Sequence, residues 1–118
     1  MFEISKDFRF EAAHTLHRVI EAEPSRRIHG HSYRATLTLR GEPDAGGMIM
    51  DFGILGGHIA RLREMLDHRF LDEVPGLGPA TLENLARFIW LTLRPACPAL
   101  VRVAVFRDSE GESCVFEG

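Results

Sequence analysis

The sequence predicts an α+β fold with the element order ββααββ. Three observations lead there. Apolar residues alternate with polar ones over two long N-terminal stretches, recur at helical spacing over two stretches in the middle, and then gather in the β-branched run "LVRVAVF" near the C-terminus. At 118 residues, 45% hydrophobic and 26% charged, the chain has the composition of a folded protein and the length of one domain, residues 1–118.

The elements follow in order. Phe2, Ile4, Phe8, Phe10 and Ala12 are even-numbered and apolar, which predicts a long half-buried strand, with a bulge near Lys6 where the alternation lapses, and His14 continues the same inward face. After a polar loop, "HSYRATLTLR" alternates again, with Tyr33, Ala35, Leu37 and Leu39 on the odd face that His29 and His31 share. "GEPDAGGM" is a turn or hairpin-like loop. Ile54, Leu55, Ile59, Leu62, Met65 and Leu66 predict a helix over Phe52 to Leu66, weakened near its start by Gly53, Gly56 and Gly57. "DEVPGLGPA" breaks the chain, and Thr81 then caps a second helix whose stripe of Leu82, Leu85, Phe88, Ile89 and Leu93 ends at Pro95. "LVRVAVF" and "SCVFEG", separated by the turn "DSEGE", are the last two strands.

Charge and cysteine content narrow the function. A net charge of -3, with no basic run longer than Arg26-Arg27, leaves no electrostatic footprint for nucleic acid or an anionic membrane. The N-terminus carries Glu3, Lys6 and Asp7 where a signal peptide needs an apolar segment, so the expected compartment is the cytoplasm. Cys97 and Cys114 lie outside any CxxC pair and are expected as free thiols. Metal chemistry therefore falls to histidine.

In "IHGHSY", His29 and His31 project from one strand face with only Gly30 between them, and His14 reaches the same side from the first strand. Three histidines with an open fourth position are the ligand set of a catalytic zinc, which polarises a substrate oxygen or lowers the pKa of a bound water to about 7.

"FRFEAAHTL", the H-G-H at its distance, "GMIMDFGIL", "LDHRFLDEVPGLGPATLENLARFIW" and the ββααββ order together resemble the 6-pyruvoyl/6-carboxy-tetrahydropterin synthases over nearly the whole chain. The resemblance implies a tunnelling fold (T-fold), a four-stranded antiparallel sheet with two helices packed on one face. It also implies trimeric barrels paired into hexamers, with active sites between subunits, and a pterin substrate. His14, His29 and His31 match the zinc ligands, and Asp67-His68 matches a catalytic pair in which the aspartate orients and charges a histidine proton relay. In that family a cysteine four residues before the H-G-H abstracts a proton from carbon.

Two departures bear on chemistry. Ser25 occupies the cysteine's position, and a serine hydroxyl is too weak an acid to supply an alkoxide at neutral pH; Glu23, or Glu21 in the same loop, is the chemically reasonable general base. The family's pterin-anchoring glutamate falls on Val105 or Arg107, leaving Asp108, Glu110 or Glu112 as candidates to replace it. The expected function is a zinc-dependent 6-carboxy-5,6,7,8-tetrahydropterin synthase-like lyase of queuosine and deazapurine synthesis. The alternatives are another pterin side-chain reaction, aldol cleavage or epimerisation, or a zinc- and metabolite-binding oligomer without turnover.

Overall fold

A computed structural model describes the chain from Met1 to Gly118. Its scaffold is a pair of long antiparallel strands, β1 (Phe2–His14) and β2 (His29–Gly41), in continuous register from Phe2 opposite Gly41 to His14 opposite His29. No bulge interrupts β1 at Lys6. The irregularity lies instead between Thr38 and Leu39, where β2 meets β4 (Leu100–Arg107). β5 (Glu112–Glu117) pairs antiparallel with β4.

The sheet has five strands, in the order β3-β1-β2-β4-β5, where sequence periodicity and resemblance had given four. The fifth, β3 (Arg69–Phe70), pairs parallel with Ala12 and Ala13, so the sheet is mixed. Two residues are too few to show a period of two, which is why alternation could not reveal this strand. A five-residue helix, α1 (Ala22–Arg26), also occupies the loop between β1 and β2, making three helices instead of two. "GEPDAGGM" turns the chain toward a helix and joins no hairpin.

α2 (Phe52–Leu66) and α3 (Leu82–Leu93) start where capping chemistry places them. The Asp51 side chain accepts the Gly53 N–H at 2.6 Å, and Thr81 accepts the Asn84 N–H at 3.1 Å. Leu55, Ile59, Leu62 and Leu66 of α2, with Leu82, Leu85, Ile89 and Leu93 of α3, are buried in one core with Phe8, Phe10, Tyr33, Ala35, Leu37, Val103 and Val105 of the sheet. Helices therefore cover the face formed by even residues of β1 and odd residues of β2 and β4.

The opposite face is open and charged. Ser32 donates to Glu11 at 2.6 Å, Thr36 to Asp7 at 2.7 Å, and Arg34 to Asp108 at 2.9 Å. Cys97 and Cys114 are free, and no helix is long and apolar enough to cross a membrane.

Candidate metal centre

At one end of the helix-covered face, the register sets His14 opposite His29 and Ala12 opposite His31. A strand period of two then gives all three imidazoles one side, and their ligand nitrogens lie within 4.8 Å of one another. His14 is fully buried, and His29 and His31 are partly exposed toward a recess.

Hydrogen bonding fixes which nitrogens face inward. His14 Nδ1 lies 2.9 Å from the Ala80 carbonyl and His29 Nδ1 lies 2.7 Å from the Arg27 carbonyl. A carbonyl only accepts, so each Nδ1 carries the proton and each neutral ring turns an Nε2 lone pair inward. Those two Nε2 atoms are 2.9 Å apart. Two lone pairs at that distance repel unless a cation or proton lies between them. A backbone carbonyl holding the far nitrogen is also the usual outer support of a metal-bound histidine. The donor set fits a divalent ion that accepts imidazole.

Burial favours the neutral form of His14 and His31. It pushes His14 below the ordinary histidine range, against the Ala80 hydrogen bond, and it pushes His31 down to about 4, with His14, Arg107 and His29 adding to the effect. Neutral imidazole is the form that binds metal. The end of β1 is further pinned by Asp72, whose carboxylate accepts the Thr15 N–H at 3.0 Å and bonds the Thr15 hydroxyl.

Asp67 and His68 are adjacent and paired, with His68 Nδ1 3.0 Å from Asp67 Oδ2. The Glu11 N–H donates to Asp67 Oδ1 at 2.8 Å and Arg63 stands 3.2 Å from Oδ2; the Glu11 bond above all, then His68 and Arg63, holds this carboxyl below its ordinary range. His68 adopts φ 58, a left-handed conformation uncommon outside glycine, and its N–H donates to the Glu11 carbonyl at 2.6 Å. Its imidazole is exposed beside a shallow recess lined by Glu11, Gly30 and Ser32 of the open face and also by Ala12 and His31. The structure brings His14, His29 and His31 together, and ties the Asp67-His68 pair to the Glu11 backbone.

Ser25 is buried, its Oγ 2.9 Å from the Leu16 carbonyl and 2.8 Å from the Ala22 carbonyl, with no base beside it. Glu23 points to solvent and pairs with Arg27 at 2.8 Å. Glu21, at φ 56, does line the recess of about 480 Å³ beside His29 and His31, as do Ser25, Arg107, Glu110 and Glu112. Of the acidic anchor candidates, Asp108 is turned away, tied to Arg34 on the open face. Val105 is fully buried in the core. Arg107 and Glu112, both singled out in the sequence around the missing anchor, are cross-strand neighbours of the β4–β5 hairpin.

Comparison with known proteins agrees with this architecture. The family model for 6-pyruvoyl tetrahydropterin synthase matches residues 3–118. The 6-carboxy-5,6,7,8-tetrahydropterin synthase of Synechocystis sp. is 38% identical over 112 residues, covering 89% of this chain and 85% of its own. That of Bacillus subtilis is 38% identical over 130 positions, covering 98% and 84%. The solved Caenorhabditis elegans 6-pyruvoyl tetrahydropterin synthase superposes with a TM-score of 0.83 at 24% identity, over 99% of this chain and 95% of that one. With the match running from the first strand to the last, the chain belongs to the 6-pyruvoyl tetrahydropterin synthase family.

Proposed function

We propose that the protein is a zinc-dependent lyase of the 6-carboxytetrahydropterin synthase type, acting on dihydroneopterin triphosphate or a related pterin. The observation that carries the reading is the inward convergence of His14 Nε2 and His29 Nε2, with His31 beside them, in a chain whose relatives from Synechocystis and Bacillus subtilis bear that activity in their names. His14, His29 and His31 hold the metal, which when bound supplies Lewis-acid polarisation of a substrate oxygen.

The remaining work falls to the chain's own groups. The Asp67 carboxylate orients His68 through Nδ1, leaving Nε2 free to give or take a proton. No hydrogen bond joins this pair to the three imidazoles within one chain, so the complete site is taken to draw His68 from a second copy. The two sheet edges, β3 and β5, are where copies join, with a hexamer as the proposed assembly.

The base comes from the segment 21–25. Ser25 is occupied by two carbonyls, so the proton falls to a carboxylate: Glu21 borders the recess, paired loosely with Arg18 at 3.6 Å, and Glu23 reaches it only by leaving Arg27 at 2.8 Å. A glutamate is named as a catalytic residue in the Plasmodium vivax 6-pyruvoyltetrahydropterin synthase. The same observation favours a second reading, in which this site performs another pterin side-chain reaction, aldol cleavage or epimerisation.

The test is incubation of zinc-loaded protein with dihydroneopterin triphosphate and mass analysis of the products. Acetaldehyde with the 6-carboxypterin supports the first reading, and a different pterin supports the second. Binding without turnover would leave a metabolite-binding oligomer and defeat both.

A further inference from the structure

We infer that Arg107 makes the inner wall of the histidine recess a reader of ligand oxygen, selecting a substrate that presents an oxo or carboxylate group to strand β4. The inference rests on the pteridine reading above and goes beyond it by naming the edge chemistry the site accepts.

The register places Arg107. β2 and β4 pair Ala35 with Val105, and Arg107 lies two residues further along the same face, next to Tyr33. His31 follows Tyr33 by one step of the same period, so the row runs from the imidazoles through Tyr33 to Arg107. The Arg107 side chain is only 13% exposed. A guanidinium that deep is uncommon unless fully paired, because it is costly to remove from water.

Its pairing is incomplete. Glu112 Oε1 approaches Arg107 Nε to 3.1 Å, close enough for an ion pair but not aligned for a hydrogen bond, so Nε is buried without a hydrogen-bond partner. The Tyr33 hydroxyl, on a side chain 1% exposed, is also buried, with the donor-bearing Arg107 guanidinium beside it and no acceptor for its own proton. A tyrosine hydroxyl offers one O–H donor. Buried polar groups in folded proteins nearly always have a partner, and unmet ones point to a missing ligand or water. What is unmet here is donors. Arginine has five N–H groups and no acceptor, so the complement is an oxygen.

Glu112 modulates this wall. It offsets part of the Arg107 charge from an exposed position, and its loss frees the guanidinium for an anion.

The experiment titrates zinc-loaded protein calorimetrically with three probes: 2-amino-4-oxopteridine, 2,4-dioxopteridine and the 6-carboxylate of the first. The expected result is that one oxygen-rich probe binds about 10- to 100-fold more tightly than the parent, the worth of a hydrogen bond to a charged group. Preference for the dioxo ring assigns Arg107 to a ring oxygen, and preference for the carboxylate assigns it to the side chain. Arg107→Gln should bring the probes within about threefold of each other, and Arg107→Lys should keep part of the preference. Glu112→Gln, which leaves Arg107 intact, should tighten the carboxylate probe further. Equal binding of the probes by the unaltered protein, or a preference that survives in Arg107→Gln, would overturn the inference while leaving the pteridine reading in place. Failure of every probe to bind would overturn the pteridine reading itself, and this inference with it.

Discussion

His14 and His29 are direct cross-strand partners whose Nε2 atoms stand 2.9 Å apart, each ring held from behind by a backbone carbonyl. That pairing costs free energy in the absence of a cation. Zinc should therefore bind one per subunit and raise the melting temperature, by about 2.7 kcal/mol of stability at a hundredfold excess over Kd. Elemental analysis of the His29→Ala/His31→Ala variant should find almost none. A full complement of zinc in that folded variant would remove the basis of the proposed site.

The proposed site draws its imidazoles and His68 from different copies, which makes mixing informative. His29→Ala and His68→Ala proteins should each be nearly inactive. Co-refolded in equal amounts, they should recover about a quarter of normal activity, since random assembly pairs one intact half with the other in one site of four. Mixtures as dead as their parents would place His68 outside the reaction.

For the base, Glu21→Gln, Glu23→Gln and Ser25→Ala belong in one single-turnover series. Loss of the true base should slow the proton-transfer step by about 10²- to 10⁴-fold. Glu21 is expected to show that loss. Ser25→Ala should lower stability by about 1–2 kcal/mol, because its hydroxyl ties the Leu16 and Ala22 carbonyls, with little effect on rate. A slow Glu23→Gln beside a normal Glu21→Gln would mean that α1 releases Glu23 from Arg27 when substrate binds.

Asp67 links the loop after α2 to acid stability. Its folded pKa is depressed, chiefly by the Glu11 N–H, so its contribution is present above the unfolded value of about 3.9 and is lost as pH falls through the lower folded value. Partial exposure limits that contribution to about 1 kcal/mol. Urea midpoints of the native protein and Asp67→Ala should differ at pH 7 and converge only as the pH falls well below the ordinary carboxylate range. A gap that persists in acid would trace the effect to packing, not to charge.

Much was legible because it depends on short-range periodicity. Alternation at Phe8, Phe10, Tyr33, Ala35 and Leu37 located both long strands and their buried face. Thr81 did open its helix, and the other helix began at Phe52 as periodicity had it. The same alternation set His14, His29 and His31 on one side. The parallel partner strand at Arg69–Phe70 and the five-residue helix at Ala22–Arg26 were not legible, being shorter than the repeats that would reveal them.

Sequence by itself determined the α+β pattern, the three-histidine set and the kinship, because each is written in residue identity and spacing. Tertiary structure alone decided which nitrogens turn inward, through carbonyls of Ala80 and Arg27 that any residue would supply. It also decided that Ser25 is tied up, that Glu21 and not Glu23 borders the recess, and that Arg107 stands against Tyr33 and Glu112. These are matters of side-chain direction and of contacts between residues far apart in the chain, and the free energy of such contacts exists only after the sheet has closed its register.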